Sequence, residues 1–370
     1  MPANAFNGIV APDPIYAGSA FNSRSIIVKY DPLSWHDVGT PTIMTVPVTG
    51  WYLLYGHSYP HVNNISINHC RWLLNGITSL GANGQGWGNV QNGSAGVEAM
   101  RIVHLIAGDY LEFQISKSAG TLINDANDAN GIGIVNIIQL PTPMFVGSAV
   151  SGSGVLDLTE ELDTGNWHNS TDSFITIDTP GNYLYMAYAL PIDATGFETI
   201  STVTVNGFDV HSAKNVKTSL ASIAGYCPMI GILSLQIGDY VEITSSHSIQ
   251  DSQLALAYLG TNKCGMAAQS VPYHPNPQVV NFDLYPVDTD SFFSTINFPP
   301  VWSVITFPVD GVYACFGSLM IVGGQFQQSQ FYQQTGPVLG VNRYFWPVSA
   351  KNSIVGPNIP GDFYHVTSSS

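Results

Sequence analysis

Gly108-Asp109-Tyr110-Leu111-Glu112-Phe113 returns as Gly238-Asp239-Tyr240-Val241-Glu242-Ile243 and again as Gly361-Asp362-Phe363-Tyr364-His365-Val366. Each copy is a Gly-Asp turn that feeds an alternating, aromatic-rich strand. The spacings are 238 − 108 = 130 and 361 − 238 = 123 residues. Periods that long belong to tandem whole domains, not to short solenoid units. The flanks agree. Ile43–Tyr52, Phe174–Tyr183 and Val304–Tyr313 each carry a Thr five residues before a Gly and a Tyr two residues after it. A second turn follows at Asn75-Gly76, Asn206-Gly207 and Thr335-Gly336. Shared residue types at shared offsets across three copies define three repeats.

Composition fits this reading. At 370 residues, three repeats leave about 120 residues each, enough to bury roughly two-thirds of the unfolded surface of each domain. Charged residues make up 9% of the chain, against about 25% in an ordinary soluble domain. Such a neutral surface suits packing against copies of itself or a partner. The net charge of −15, with ten scattered Lys and Arg, argues against a nucleic-acid partner, which needs clustered cations. No window approaches 18 uninterrupted apolar residues, so no membrane span is expected. Met1–Phe6 lacks a basic region followed by an apolar core, so no secretion signal is expected. Cys70, Cys227, Cys264 and Cys315 do not recur at matching repeat positions. They read as small apolar fillers rather than a disulfide framework.

Along repeat one, Arg24–Tyr30, Thr42–Pro47, Trp51–His57, Ile65–Leu74, Met100–Ile106 and Tyr110–Ser116 read as strands. No amphipathic helix of ten residues is evident. Many short strands at roughly ten-residue spacing imply a sandwich or barrel. Residues 5–11 form a further short apolar strand. The next segment, Pro12–Ala20, resembles Pro141–Ala149, which follows the closing strand Gly133–Leu140 of repeat one. By that likeness, residues 1–11 are a displaced closing strand. Repeat three stops after its Gly-Asp-Phe strand, and an open sheet edge invites pairing. The expected organisation is therefore residues 1–11 completing repeat three, in the same or a neighbouring chain; 12–140 as repeat one; 141–262 as repeat two; and 263–370 as repeat three, lacking its last strand.

Gly50/Tyr52, Gly181/Tyr183 and Gly311/Tyr313, the later Asn-Gly turn and the three Gly-Asp-Tyr or Gly-Asp-Phe segments together resemble the jelly roll of the complement C-one-q and tumour-necrosis-factor superfamily. The resemblance implies an all-β chain of three tandem jelly-roll β-sandwiches. Members of that family trimerise, so three copies in one chain are compatible with a pseudo-threefold trimer. It is barely informative about function. The absent secretion signal and collagen-like stalk depart from secreted members and fit a viral or phage structural protein.

Candidate sites are few. Asn124–Gly131, rich in Asp and Asn, offers oxygens of the type that calcium prefers, but its spacing fails the EF-hand pattern and it reads as a polar loop. Asp288 and Asp290 form a shorter version. Gly81–Gly88 precedes no helix and so is not a phosphate cradle; it reads as a loop tip presenting Trp87. Trp35-His36 and Trp167-His168 lie 15 and 14 residues before the repeat glycine and read as strand-edge residues. Gln325–Gln334 alternates Gln with Phe326, Phe331 and Tyr332. That pattern suits either sugar stacking or an interface strand. No catalytic motif is present, and no cofactor or metal is expected. The expectation is a non-enzymatic virion structural protein, a capsid decoration or cement protein. Its expected partners are the major capsid protein, other virion proteins and itself. The alternative is the glycan-binding head of a tail fibre or spike.

Overall fold

The computed structural model describes residues 4–11, 18–58, 61–62, 66–88, 93–94, 97–117, 133–192, 198–216 and 227–260, and beyond them 264–268, 284–289, 293–296, 302–305, 319–320, 327–334, 342–351 and 358–359. Among the described residues there is no helix. The first twelve strands are β1 (Ala5–Val10), β2 (Gly18–Ser23), β3 (Ile26–Tyr30), β4 (Met44–Thr45), β5 (Gly50–Ser58), β6 (His61–Val62), β7 (Ser66–Leu74), β8 (Thr78–Gly88), β9 (Gly93–Ser94), β10 (Val97–Leu105), β11 (Tyr110–Lys117) and β12 (Gly133–Gln139). One antiparallel sheet runs β10-β5-β12-β1-β3, and the other runs β2-β11-β7-β8 with β4 also on β11.

The next ten strands are β13 (Met144–Ala149), β14 (Gly154–Val155), β15 (Thr159–Asp163), β16 (Ile175–Thr176), β17 (Gly181–Pro191), β18 (Glu198–Val205), β19 (Phe208–Val216), β20 (Cys227–Leu235), β21 (Tyr240–Ser245) and β22 (Ile249–Tyr258). They repeat the order. One sheet is β20-β17-β22-β13-β15; the other is β14-β21-β18-β19 with β16 on β21. Two facing antiparallel sheets with these crossovers are a jelly-roll β-sandwich, and the chain builds it twice in succession.

The strands alternate as a half-buried sheet should. Along β21, Val241 and Ile243 point inward while Tyr240 and Glu242 lie at intermediate exposure. Sandwich one closes over Phe6, Trp35, Tyr52, Trp72 and Phe113; sandwich two closes over Phe145, Trp167, Tyr183, Tyr185 and Leu256. The Trp of each Trp-His pair is a core residue, not an edge residue. Trp35 meets Tyr52 edge-on at 5.3 Å, and Trp167 meets Tyr183 at 5.3 Å. Each of these tyrosines donates its hydroxyl proton to the carbonyl four residues upstream, Val48 at 2.6 Å and Thr179 at 2.5 Å. The shared Gly-x-Tyr and Trp-His patterns are therefore the two halves of one aromatic contact.

The N-terminal strand overturns part of the expected organisation. β1 lies between β12 and β3 in the sheet of sandwich one itself, as β13 lies between β22 and β15. Residues 5–10 thus open repeat one rather than complete repeat three. The likeness of Pro12–Ala20 to Pro141–Ala149 misled because Gly18–Ser23 joins the opposite sheet, on β11. The true correspondence is Phe6-Asn7-Gly8 with Phe145-Val146-Gly147. In both, the Phe ring folds over the strand where the Gly lacks a side chain. A Cβ on Gly147 would stand 2.7 Å from the Phe145 ring. Gly81–Gly88 is also not a loop tip. It forms the end of β8, where it is held by β7 from Ser66 to Cys70; the neighbouring strand overrides the poor strand preference of glycine.

From residue 264 onward the described strands are β23 (Gly265–Ala268), β24 (Leu284–Asp288), β25 (Phe293–Ile296), β26 (Trp302–Ile305), β27 (Leu319–Met320), β28 (Gln327–Gln334), β29 (Asn342–Lys351) and β30 (Asn358–Ile359), paired as β23–β24, β25–β26, β27–β30 and β28–β29. The β23–β24 hairpin copies β13–β15. Thr289 donates its amide proton to the Cys264 carbonyl and accepts the Cys264 amide proton on its hydroxyl, both at 3.0 Å. Thr164 does the same with Met144, at 3.0 and 2.8 Å. The Gly311/Tyr313, Thr335-Gly336 and Gly361–Val366 motifs lie outside the described residues.

Candidate functional site

Two features of the sandwiches are built for contact: a buried seam between them, and a rigid apolar tip on each. The seam begins at a sheet edge. Among the described residues β10 pairs only with β5, so every second residue of β10 directs its backbone N–H and C=O away from the sheet. Sandwich two covers that edge. The Gln253 carboxamide, fully buried, accepts the Ile102 amide proton at 3.0 Å and donates to the Ile102 carbonyl at 3.0 Å. One side chain thus takes the place of a missing strand. Leu53, Tyr55, Met100 and Ile102 of sandwich one pack there on Met144, Val146, Met186, Tyr188 and Ala255 of sandwich two.

A charged group closes the margin of the seam. Arg101 donates to the Tyr188 hydroxyl and pairs with Glu161 at 3.4 Å and Asp251 at 3.7 Å. Tyr188 donates its own proton to Asp251 at 3.0 Å. Burial pushes the Tyr188 hydroxyl up, so it stays neutral and remains a donor. Burial would lower Arg101, but Tyr188, Asp251 and Glu161 leave it raised. Burial raises Asp251, with Arg101 and Tyr188 offsetting only part of that shift. The group is satisfied within itself and binds the two domains together.

The tips lie where the repeated turns meet. Asn75 and Gly76 both have positive φ, 52° and 70°, as do Asn206 and Gly207, 53° and 78°; this is the turn type that Asn-Gly favours between strands. Asn75 donates to Asp109 at 2.9 Å and accepts the Tyr110 amide proton at 2.9 Å. Asn206 donates to Asp239 at 2.7 Å and accepts from Tyr240 at 3.0 Å. The other carboxylate oxygen of each Asp accepts the amide proton of Ile106 or Gln236. Those hydrogen bonds hold the Asp239 carboxyl below its ordinary range. Two turns distant in sequence are thereby clasped into one platform. On it stand Ile77 and Ile106 in sandwich one, 86% and 59% exposed, and Phe208 and Ile237 in sandwich two, 75% and 70% exposed.

The residues singled out from sequence do not converge. Trp87 is in β8, paired with Ile67. Phe331 and Tyr332 are in β28, where Tyr332 pairs with Tyr344 of β29, so Gln327–Gln334 of the Gln-aromatic stretch is a strand. Phe326, Asn124–Gly131 and Asp290 lie outside the described residues. Asp288 ends β24 opposite Gly265. No cluster of metal-ligating side chains occurs among the described residues. Cys70 and Cys264 are buried. Inside sandwich two, Tyr185 meets His211 Nδ1 at 2.5 Å, and burial lowers His211 to about 4. Sequence reading missed this pair along with Gln253 and Arg101. For Gln253 a signal existed: it is the amide that directly precedes the apolar run Leu254–Leu259.

Fold and seam together define a tandem jelly-roll protein whose repeats are joined through an edge-capping interface. No family model matches the chain, and no curated protein does. Among solved structures, the crystal structure of murine APRIL at pH 8.5 is similar over 37% of this chain and 99% of that chain, at 17% identity and a TM-score of 0.26. The jelly-roll assignment rests on the strand order of the two sandwiches themselves.

Proposed function

We propose that this chain is a non-enzymatic structural protein of a virion, a decoration or cement protein that bridges subunits of the shell. The observation that supports this reading is the repeated tip. Each sandwich holds two large apolar side chains out in water on a hydrogen-bonded platform, Ile77 with Ile106 and Phe208 with Ile237. Exposed apolar groups on rigid supports are anchors for protein contact, because little order is lost on docking. Two or more tips on one chain bind with the gain of a linked attachment. The low charge of the chain, 9%, suits the same use. The partner is the major capsid protein or another virion protein; neither cofactor nor chemistry is involved, and the site of action is the assembled particle.

The test is addition of purified chain to shells that lack it, with bound copies counted by mass. A decoration protein saturates at hundreds of copies per shell. Ile77→Asp combined with Phe208→Asp abolishes binding and leaves the fold intact. Saturation at a handful of copies, or binding unchanged by the double variant, would overturn the proposal. A second reading, a glycan-binding head, is favoured by the Gln-aromatic strand around Phe331 and Tyr332; retention on immobilised glycan, lost on Tyr332→Ala, would support it.

A further inference from the structure

We infer that Asn75 and Asn206 are sites of spontaneous deamidation, held inert by the closed tips, so that a tip which opens and reacts cannot close again. This holds whatever the tips dock against.

The chemistry belongs to an asparagine followed by a glycine. The glycine amide nitrogen attacks the side-chain Cγ, an approach that a following residue with a Cβ would hinder. A bond forms between that nitrogen and Cγ, the bond from Cγ to Nδ2 breaks, and Nδ2 leaves as ammonia with the proton of the glycine amide. Water then opens the five-membered imide at either carbonyl. The product is aspartate, or isoaspartate with an extra methylene in the main chain. Water is the only co-reactant. Asn75-Gly76 and Asn206-Gly207 are such pairs, and both turns are exposed. The tips cannot avoid the reaction by exchanging the glycine. Gly76 and Gly207 stand at φ 70° and 78°, where a side chain is strained. A Cβ on Gly76 would also lie 2.7 Å from the Tyr110 hydroxyl.

In the closed tip the other turn occupies both ends of the carboxamide. Asn75 Nδ2 donates to Asp109 at 2.9 Å, while Asn75 Oδ1 accepts the Tyr110 amide proton at 2.9 Å. Asn206 does the same with Asp239 and Tyr240, at 2.7 and 3.0 Å. The backbone amides of Asn75 and Asn206 are tied as well, to the carbonyls of Tyr110 and Tyr240, both at 2.9 Å. Cγ is thus drawn across the tip, and turning it onto the glycine nitrogen requires both side-chain hydrogen bonds to break. Reaction therefore passes through local opening. Afterwards the donor is lost, and a carboxylate oxygen faces Asp109 or Asp239 in its place, so that two like charges oppose each other. The extra methylene of isoaspartate also shifts the residue after the glycine, which is Ile77 in one tip and Phe208 in the other.

Two further positions set the contrast. Asn7-Gly8 is the same pair, but it lies in β1 between β12 and β3, with Asn7 Nδ2 donating to Asn136 Oδ1 at 2.6 Å. It reacts only if the sheet opens. Repeat three carries Thr335-Gly336 at the corresponding place in its sequence, with no amide to lose.

The experiment is incubation of the full chain at mildly alkaline pH, folded or in urea, then digestion and peptide-resolved mass spectrometry for loss of amide at residues 7, 75 and 206. Unfolded, the three sites are expected to react at similar rates. Folded, residues 75 and 206 are expected to slow at least about tenfold and residue 7 further, in the order of the opening that each requires. Asp109→Ala removes an acceptor of the clasp. It is expected to raise the folded rate at residue 75 about tenfold, the gain in opening from one lost hydrogen bond to a charged group, with residues 7 and 206 unchanged. Asp239→Ala is expected to accelerate residue 206 alone. The untouched sites report on the fold, so a variant that fails to fold is recognised by their acceleration. In that case Asn75→Asp is read instead, and is expected to exchange the Tyr110 amide proton at least about tenfold faster than the wild type. Equal rates at residues 75 and 206 in the folded and unfolded chain would overturn the inference. So would an unchanged rate at residue 75 in folded Asp109→Ala, or unchanged exchange at Tyr110 in Asn75→Asp.

Discussion

Replacing Gln253 with Met removes an amide and keeps the length of the side chain, which makes it the sharpest probe of the seam. In the wild type, Gln253 satisfies both the N–H and the C=O of Ile102 at 3.0 Å inside a buried contact. The variant strands both groups. A buried backbone group left unpaired costs about 1–3 kcal/mol, so two of them predict a loss of about 3 kcal/mol, with the packing of Tyr188 and Met100 little changed. Guanidinium unfolding of the full chain reads this as a lower midpoint at unchanged slope. Gln253→Glu supplies a control. Its carboxylate can accept from Ile102 N–H but opposes the carbonyl, so at pH 8 it is expected to be worse than Met and to recover as acid protonates it. A Gln253→Met protein within about 0.5 kcal/mol of wild type would show that sandwich two does not cap β10 and would refute the reasoning.

Other outcomes follow from the same geometry. His211, beside Tyr185 and held at about 4, takes up its proton in the unfolded chain near the ordinary value of about 6.5. The unfolded state binds more protons between those values, so stability is full above 6.5 and falls as pH drops towards 4. The loss is about 2 kcal/mol after allowance for the partial exposure of the ring, and His211→Asn flattens the dependence in urea titrations. Asn206→Ala forfeits two hydrogen bonds and places a Cβ residue without side-chain support at φ 53°, costing about 2 kcal/mol in thermal unfolding. Gly56→Ala puts a methyl 2.2 Å from the Phe113 ring and lowers stability by about 1–3 kcal/mol, whereas Gly39→Ala, which meets only the Asp37 carboxylate at 3.4 Å, leaves it nearly unchanged.

What the sequence disclosed was local. The Gly-Asp-Tyr and Asn-Gly turns were each legible because their residues demand particular backbone angles. That Asn75 clasps Asp109 across 34 residues was not, since nothing in a turn names its partner. The Trp-His pairs read as edge residues because two aromatics at the end of a polar loop carry no sign of burial; only the folded core sets Trp35 against Tyr52. The nine-residue likeness of Pro12–Ala20 to Pro141–Ala149 points the first strand to the wrong repeat, because it is the shorter Phe-x-Gly pattern that carries the packing constraint. Glycines in Gly81–Gly88 signalled a loop, yet pairing to β7 made a strand. The seam was the least visible feature, because Gln253, Arg101 and Glu161 are far apart in the chain and meet only after both sandwiches exist. The sugar and capsid expectations had no structural counterpart to read, since they depend on partners rather than on the chain.

Hydrogen exchange at one amide tests the joining of the sandwiches most directly. The Ile102 N–H belongs to an edge strand and points away from β5, so in an isolated sandwich it exchanges with solvent quickly. If Gln253 and sandwich two cover it, the full chain retains that amide proton about as long as the central strand β5 does. Exchange at Ile102 at the rate of an unprotected amide would contradict the seam.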